Sequence, residues 1–205
     1  MPRQPDPDLE DRILHAAHAL WKRGGEKSLT MRAVARAART NTPAVYRRFK
    51  DREDLVRALL LHTAARIRRD FELGETIERM AEAYVDSALQ RPHEYKLFYT
   101  HVHQLSPRKV TGKPRPIREF RPNFAFLEEQ LAHRLGGSAE DHTQLGLAIW
   151  ATLHGTTMLL LSNAIPSGHE DELRRASCTA VKALLDEAAK FKERKRVAEA
   201  TPTTA

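Results

Sequence analysis

The stretch TMRAVARAARTNTPAVYRRF, Thr30–Phe49, holds no acidic residue in a chain that has 27 of them. Thr30 and Asn41 stand where a side-chain oxygen can cap a helix start. Pro43 falls in the first turn after Asn41, where a helix loses no backbone hydrogen bond to proline. Met31, Val34, Ala35 and Ala38 share one side of a short helix, and Val45 and Phe49 line a second. The spacing predicts helices over Thr30–Ala37 and Thr42–Phe49 with a tight junction, a helix-turn-helix. From Lys27 to Lys50 the charges are Lys27, Arg32, Arg36, Arg39, Arg47, Arg48 and Lys50, all positive. A duplex backbone attracts such a run and repels carboxylates. The second helix of such a pair enters the major groove.

Outward from that pair the chain reads as helices throughout. Residues 1–8 are polar and Pro-rich, a loose arm. Leu9, Ile13, Ala16, Ala17, Leu20 and Trp21 form one stripe of a first helix, which Gly24-Gly25 stops. Asp51 and Asp54 favour the start of a fourth helix, running to about Phe71 and ended by Gly74. Ile77, Met80, Ala81, Tyr84 and Ala88 mark a fifth. Pro92 opens a sixth with Tyr95, Phe98, Tyr99 and Val102. SPRKVTGKPRP reads as a surface loop. A seventh helix carries Phe124, Leu127 and Leu131, and two long ones follow, about 140–163 and 170–195. Strand-hairpin signals and internal repeats are missing, so the expected fold is all-α with about nine helices.

The chain has 205 residues, 41% hydrophobic and 30% charged, which permits a buried core. Its net charge of +7 favours a polyanionic partner but says nothing of fold. One cysteine, Cys178, excludes an internal disulfide framework and fits a cytoplasmic protein. No apolar run reads as long enough to span a bilayer, and the N-terminus lacks the apolar core of a secretion signal.

The order ILHAAHALWKRGG, a capping Thr30, Val34-Ala35, Ala38, a short turn, Tyr46, Phe49 and then KDREDLVRALL resembles the N-terminal module of the TetR (tetracycline repressor) family. It covers roughly Leu9 to Leu61. The resemblance implies that Thr42, Pro43 and Ala44 face bases. It implies that Tyr46, Arg47, Arg48 and Lys50 hold phosphates, and that Thr30 and Arg32 touch backbone; Arg39 and Asn41 complete the expected DNA-binding set. For Tyr46, plain packing is the alternative. The family pattern has Gly where this chain has Arg39, so either the turn differs or Arg39 takes a positive φ. Pro43 replaces a common Gly, and Arg52 a common Lys.

IWATLHG resembles the Trp-His-Gly signature of one C-terminal subgroup of that family. Trp150 and His154 are four residues apart, on one helix face. They are either ligand-facing or a structural Trp–His pair. A ligand pocket draws on Tyr84, Tyr95, Phe98, Tyr99, His103, Phe124, Trp150, His154 and Met158, several of which can be plain core. The eighth helix is apolar on two sides, which requires burial on two sides. One side, Leu145, Ile149, Thr152, Thr156 and Leu160, is expected to meet a second subunit together with Ala176, Ala180, Leu184 and Ala188 of the ninth helix.

The resemblance thus divides the chain into an arm (1–8), a DNA-binding domain (9–70), an effector-binding and dimerisation domain (71–196) and a disordered tail (197–205). Phosphate loops, G-x-S-x-G and paired-cysteine motifs are missing, so no catalytic site or cofactor is expected. His15/His18 and His101/His103 lack the i, i+4 spacing of helical zinc ligands, so no metal is expected. The expected function is a homodimeric DNA-binding regulator, a repressor that a small molecule releases from a palindromic operator. A basic helical adaptor, or an enzyme with an unrecognised helical site, is the alternative.

Overall fold

The structure, a computed structural model, describes residues 6–106 and 113–200, except the side chains at 195 and 198–200. Among the described residues are nine α-helices and four short 3-10 turns. The helices are α1 (Leu9–Gly24), α2 (Met31–Ala37), α3 (Thr42–Arg48), α4 (Arg52–Glu72), α5 (Ile77–Gln90), α6 (Pro92–His101), α7 (Pro122–Leu135), α8 (Thr143–Leu161) and α9 (Glu170–Ala200). They group into two compact units. Of the described residues, the first holds those up to Arg66 and those within 93–113, and the second holds those within 67–92 and from Pro114 onward.

In the first unit the stripe of α1 meets α2, α3, α4 and α6. Ile13, Ala17, Trp21, Leu29, Val34, Val45, Leu55 and Leu59 join one core. Each fully buried leucine there contributes roughly 1.5–3 kcal/mol. Glu10 and Asp11 open α1 and Lys22 and Arg23 close it, each sign opposing the helix dipole. The sixth helix lies with this unit, although the sequence division sets it in the larger domain. Phe98, Val102 and Leu105 of that segment complete the core around Trp21 and Leu60, which explains the placement.

Arg39 has φ +53, so the chain keeps the turn and puts an arginine in the left-handed region. It sits at the end of α2 in a Schellman arrangement: the Thr40 N–H bonds Ala35 O at 2.9 Å and the Arg39 N–H bonds Arg36 O at 3.2 Å. Glycine takes that conformation without a Cβ penalty. Arg39→Gly is expected to raise unfolding stability by about 0.5–1 kcal/mol, read from the urea midpoint at unchanged slope.

Glu94 of α6 is buried in the first unit, paired with Arg66 and with its Oε2 3.4 Å from His18 Nε2. Burial, then Arg66 and Lys22, push the His18 pKa down to about 4. His62 shifts the same way through burial and the neighbouring His15, His18 and Arg66, opposed by Asp11. Between pH 6.5 and 4 the unfolded chain therefore takes a proton on His18 that the folded chain refuses. Stability should fall as pH drops through that window. A His18→Leu variant should lose less than wild type by pH 4, by about 1–2 kcal/mol, allowing for the side chain's partial exposure. Melting temperatures along a pH series check it.

In the second unit, α5, α7, α8 and α9 share a core of Ile77, Ala81, Val85, Leu131, Ile149, Leu153, Val181 and Leu185. A Cβ on Gly146 would stand 3.2 Å from the Phe124 ring, so glycine lets α8 approach α7 there. The expected long helix from residue 140 is broken at its start. Ala139–His142 form a 3-10 turn held by a capping box of Ser138 and Asp141, and α8 begins at Thr143.

Other expectations also change. Ala139–Leu161 is long and apolar enough, by length and composition, to cross a membrane, with a mean hydropathy of 1.2. Its inner side packs in the second unit's core. Residues 197–200, expected to be disordered, continue α9. In the expected loose arm, Asp6 pairs with Arg12 at 2.8 Å and accepts the Asp8 N–H at 3.1 Å. Residues 1–5 of the arm, 107–112 of the loop and 201–205 of the tail lie outside the described residues.

Candidate nucleic-acid interface

Two short helices form the surface that matters. Thr30 caps α2 by accepting the Ala33 N–H at 3.1 Å, and Asn41 caps α3 by accepting the Ala44 N–H at 2.9 Å. These side chains fix the helix starts, and their oxygens already hold a backbone donor. Beneath the surface, Val34, Ala35, Val45 and Phe49 are buried in the first unit's core, as their spacing predicts. The outer side carries Arg32, Arg36, Arg39, Pro43, Tyr46, Arg47 and Lys50, all exposed, and the half-buried Thr42. Tyr46 is 52% exposed, so it does not serve the core.

Ala44 is a correction. It is 3% exposed, turned into the protein by its position beside Val45, and it cannot face a base. Arg48 also differs from expectation. Its Nη2 donates to Asp6 O at 3.2 Å and its Nη1 lies 3.9 Å from Glu10. The run from Lys27 to Lys50 has no acid of its own, but the start of α1 brings the Glu10 carboxylate close to its end, and the segment before α1 brings the Asp6 carbonyl. Among the described residues, Lys27, Arg32, Arg36, Arg39, Arg47 and Lys50 make no ion pair, so five exposed cations stand on the outer side of this helix pair, with Lys27 in the turn before α2.

Arg52 is a residue that sequence reasoning did not place. Its Nε donates to Leu29 O at 2.8 Å, its Nη2 to Glu26 O at 2.7 Å and its Nη1 to Glu26 Oε1 at 3.0 Å. It fastens the start of α4 to the turn that leads into α2. The departure from the family's lysine was the available signal, because a planar fork serves several acceptors at once.

The aromatic residues proposed for a ligand divide between the units. Tyr95, Phe98, Tyr99 and His103 are in the first. Tyr95 and Tyr99 have centroids 4.6 Å apart, and His103 Nδ1 is 3.0 Å from Thr100 O. Tyr84, Phe124, Trp150, His154 and Met158 are in the second. There Tyr84 stacks on Phe71 at 5.7 Å, and Phe124 lies 5.8 Å from Trp150. Trp150 and His154 are half-buried, and burial lowers the His154 pKa. Met158 is exposed.

The expected subunit face of α8 is turned inward. Ile149 is 0% exposed and Thr156 5%, and Leu145 and Leu160 pack on the same internal core, with Thr152 half-buried. The open side is Ala151, Gly155, Met158 and Leu159. On α9, Ala176 and Ala180 are exposed with Thr179 and Ala183, while Leu184 and Ala188 are half-buried. The signal in the sequence was the small pair Ala151 and Gly155, one helical turn apart.

Comparison with known proteins agrees with this geometry. The family model described as bacterial regulatory proteins, tetR family, matches residues 13–59. The one described as tetracyclin repressor-like, C-terminal domain, matches residues 77–184. No curated protein matches the chain. Among solved structures, a protein with unknown function from Rhodococcus sp. RHA1 is 22% identical with a TM-score of 0.65, covering 90% of this chain and 99% of that one. A TetR-family regulator from Streptomyces coelicolor A3 is 19% identical with a TM-score of 0.55, covering 91% and 99%. A TetR variant from Acinetobacter baumannii AYE, in complex with minocycline, is 16% identical with a TM-score of 0.54, covering 92% and 99%.

Proposed function

This chain belongs to the tetR family of bacterial regulatory proteins, and from that membership we propose that it is a homodimeric repressor released from a palindromic operator by a small molecule. It is a DNA-binding transcriptional regulator; the sign, the operator symmetry and the release are the proposal. The observation that carries it is the acid-free outer side of α2 and α3, with the unpaired, exposed cations Arg32, Arg36, Arg39, Arg47 and Lys50 and the exposed Tyr46. In this reading Thr42 and Pro43 meet base edges. Tyr46, Arg47 and Lys50 hold phosphates, with Arg32 and Arg39 beside them. The half-buried Trp150 and His154, with Phe124 opposite, support an effector site in the second unit. The minocycline complex of the Acinetobacter protein is a precedent for a ligand on this fold. An effector releases DNA only by binding the DNA-free conformation more tightly.

A footprint on DNA flanking the gene, with and without candidate effectors, tests the reading. A protected near-palindrome that an effector erases supports it; sequence-blind protection sinks it. Within that assay, Arg47→Ala should weaken binding to all sequences and reduce the slope of log affinity against log salt by about one. An unchanged slope would remove Arg47 from the phosphate contacts.

A further inference from the structure

At the end of α3 the cationic surface meets the segment that leads into α1. Asp6, Asp8, Glu10 and Asp11 put four exposed carboxylates into six residues there. The helix dipole accounts for Glu10 and Asp11, which stand in the first turn of α1. It does not account for Asp6, because its pull fades outside the terminal turn. Asp6 is nonetheless fixed in place. Its carboxylate pairs with Arg12 at 2.8 Å and accepts the Asp8 N–H at 3.1 Å. Arg12 first, then the Asp8 N–H and Arg48, hold that carboxyl below its ordinary range. So fixed, the Asp6 carbonyl accepts from Arg48 Nη2 at 3.2 Å, and Arg48 Nη1 stands 3.9 Å from Glu10 Oε2.

By position Arg48 belongs to the cationic side of α3, between the exposed Arg47 and Lys50. Among the described residues it is the one cation from Lys27 to Lys50 that has an acidic partner. A carbonyl and a carboxylate offer a guanidinium what a phosphodiester offers, oxygens that accept its N–H groups. A phosphate therefore gains Arg48 only by displacing the segment before α1. The carboxylates of Asp6 and Glu10 also repel a phosphate that approaches that end of α3. Both effects act on the electrostatic part of DNA binding, the part that is blind to sequence.

We propose that residues 6–10 are an intramolecular latch on the DNA-binding surface. They occupy Arg48 in place of a phosphate and hold down affinity for duplex of any sequence. The latch rests on DNA binding through α2 and α3, but not on repression, operator symmetry or effector release.

A random-sequence duplex tests it on the full chain, since the contact at issue is not base-specific. Affinity is followed by fluorescence anisotropy along a salt series for wild type, Arg48→Ala, the pair Asp6→Asn with Glu10→Gln, and all three combined. Without its pair to Arg12, the Asp6 carbonyl is no longer held against Arg48. The neutralised pair should bind about three- to tenfold more tightly than wild type at low salt. Arg48→Ala should leave the slope of log affinity against log salt unchanged in wild type. In the neutralised background it should reduce that slope by about one. The difference between backgrounds separates the latch from a plain loss of negative charge, which acts alike in both. An equal reduction in both would overturn the proposal, because Arg48 would already hold a phosphate. No reduction in either would overturn it too, because there would be no phosphate contact to withhold. All the substituted residues are exposed, and unchanged helical content shows that each variant is folded. A chain that binds duplex but fails these comparisons loses the latch and keeps the regulatory reading; one that binds no duplex loses both.

Discussion

In the homodimer proposed above, Gly155→Arg should leave a monomer and lower operator affinity at least a hundredfold. Within one chain the position is open: a Cβ on Gly155 would meet no atom within 4 Å. Replacing a helical glycine should even favour the isolated helix, by up to about 1 kcal/mol. The damage would fall on association. Gly155 lies with Ala151, Met158 and Leu159 on the open side of α8, and the small side chains of Ala176 and Ala180 are exposed on α9. Isologous packing sets the same patch of both chains face to face, and a residue beside the two-fold axis meets its own copy. With Gly155 beside that axis, two guanidinium groups would meet across it. On the proposed palindromic operator, losing the dimer would separate two recognition helices on linked half-sites, and linkage of that kind is worth about 10²–10⁴ in affinity. Light scattering should fall from about twice 23.3 kDa to the mass of one chain, with helical content unchanged. A variant that stays dimeric and binds the operator normally would rule out this face. Ile149→Ala is the contrasting case, since its side chain is wholly buried in the chain's own core. It should cost about 2–4 kcal/mol of folding stability instead.

Arg52→Ala should destabilise the first unit by about 2 kcal/mol and loosen operator binding with it. The guanidinium holds two backbone carbonyls, Leu29 O and Glu26 O, and the Glu26 carboxylate. Charge-assisted bonds of this sort are worth about 1.5–3 kcal/mol. The side chain is 39% exposed, so water recovers part of the loss. Glu26 also lies 3.4 Å from His101 Nδ1, so the same carboxylate links the turn before α2 to the end of α6. Arg52→Lys should lose an intermediate amount, because one ammonium cannot reach three acceptors in the fork's geometry. Denaturant unfolding gives the stability. Operator affinity at fixed salt gives the effect on α2, whose cap residue Thr30 follows the held carbonyl of Leu29. Equal stability of Arg52→Ala and wild type would show that solvent replaces all three bonds.

The sequence by itself determined much of this protein. The capping residues Thr30 and Asn41, the apolar spacing of Val34, Ala35, Val45 and Phe49, and the acid-free run between Lys27 and Lys50 are local properties. Helix starts and helix faces follow from neighbours within a turn or two, so they can be read along the chain. At Arg39 the family pattern left two alternatives, a different turn or a positive φ, and the structure has the positive φ. What only the tertiary structure decided depends on which of two similar surfaces turns inward. Ala44 and Pro43 are adjacent, yet one is buried and the other exposed. The two apolar sides of α8 carry comparable side chains, and helical periodicity does not rank them. The side of Ile149 turned inward because α5, α7 and α9 bury it, leaving Gly155 outside. The pairing of Arg48 with Glu10, the grip of Arg52 on Glu26 and the placement of α6 beside Trp21 likewise join residues far apart in the chain. Such pairings depend on how the helices close around a core, and no local pattern fixes that closure.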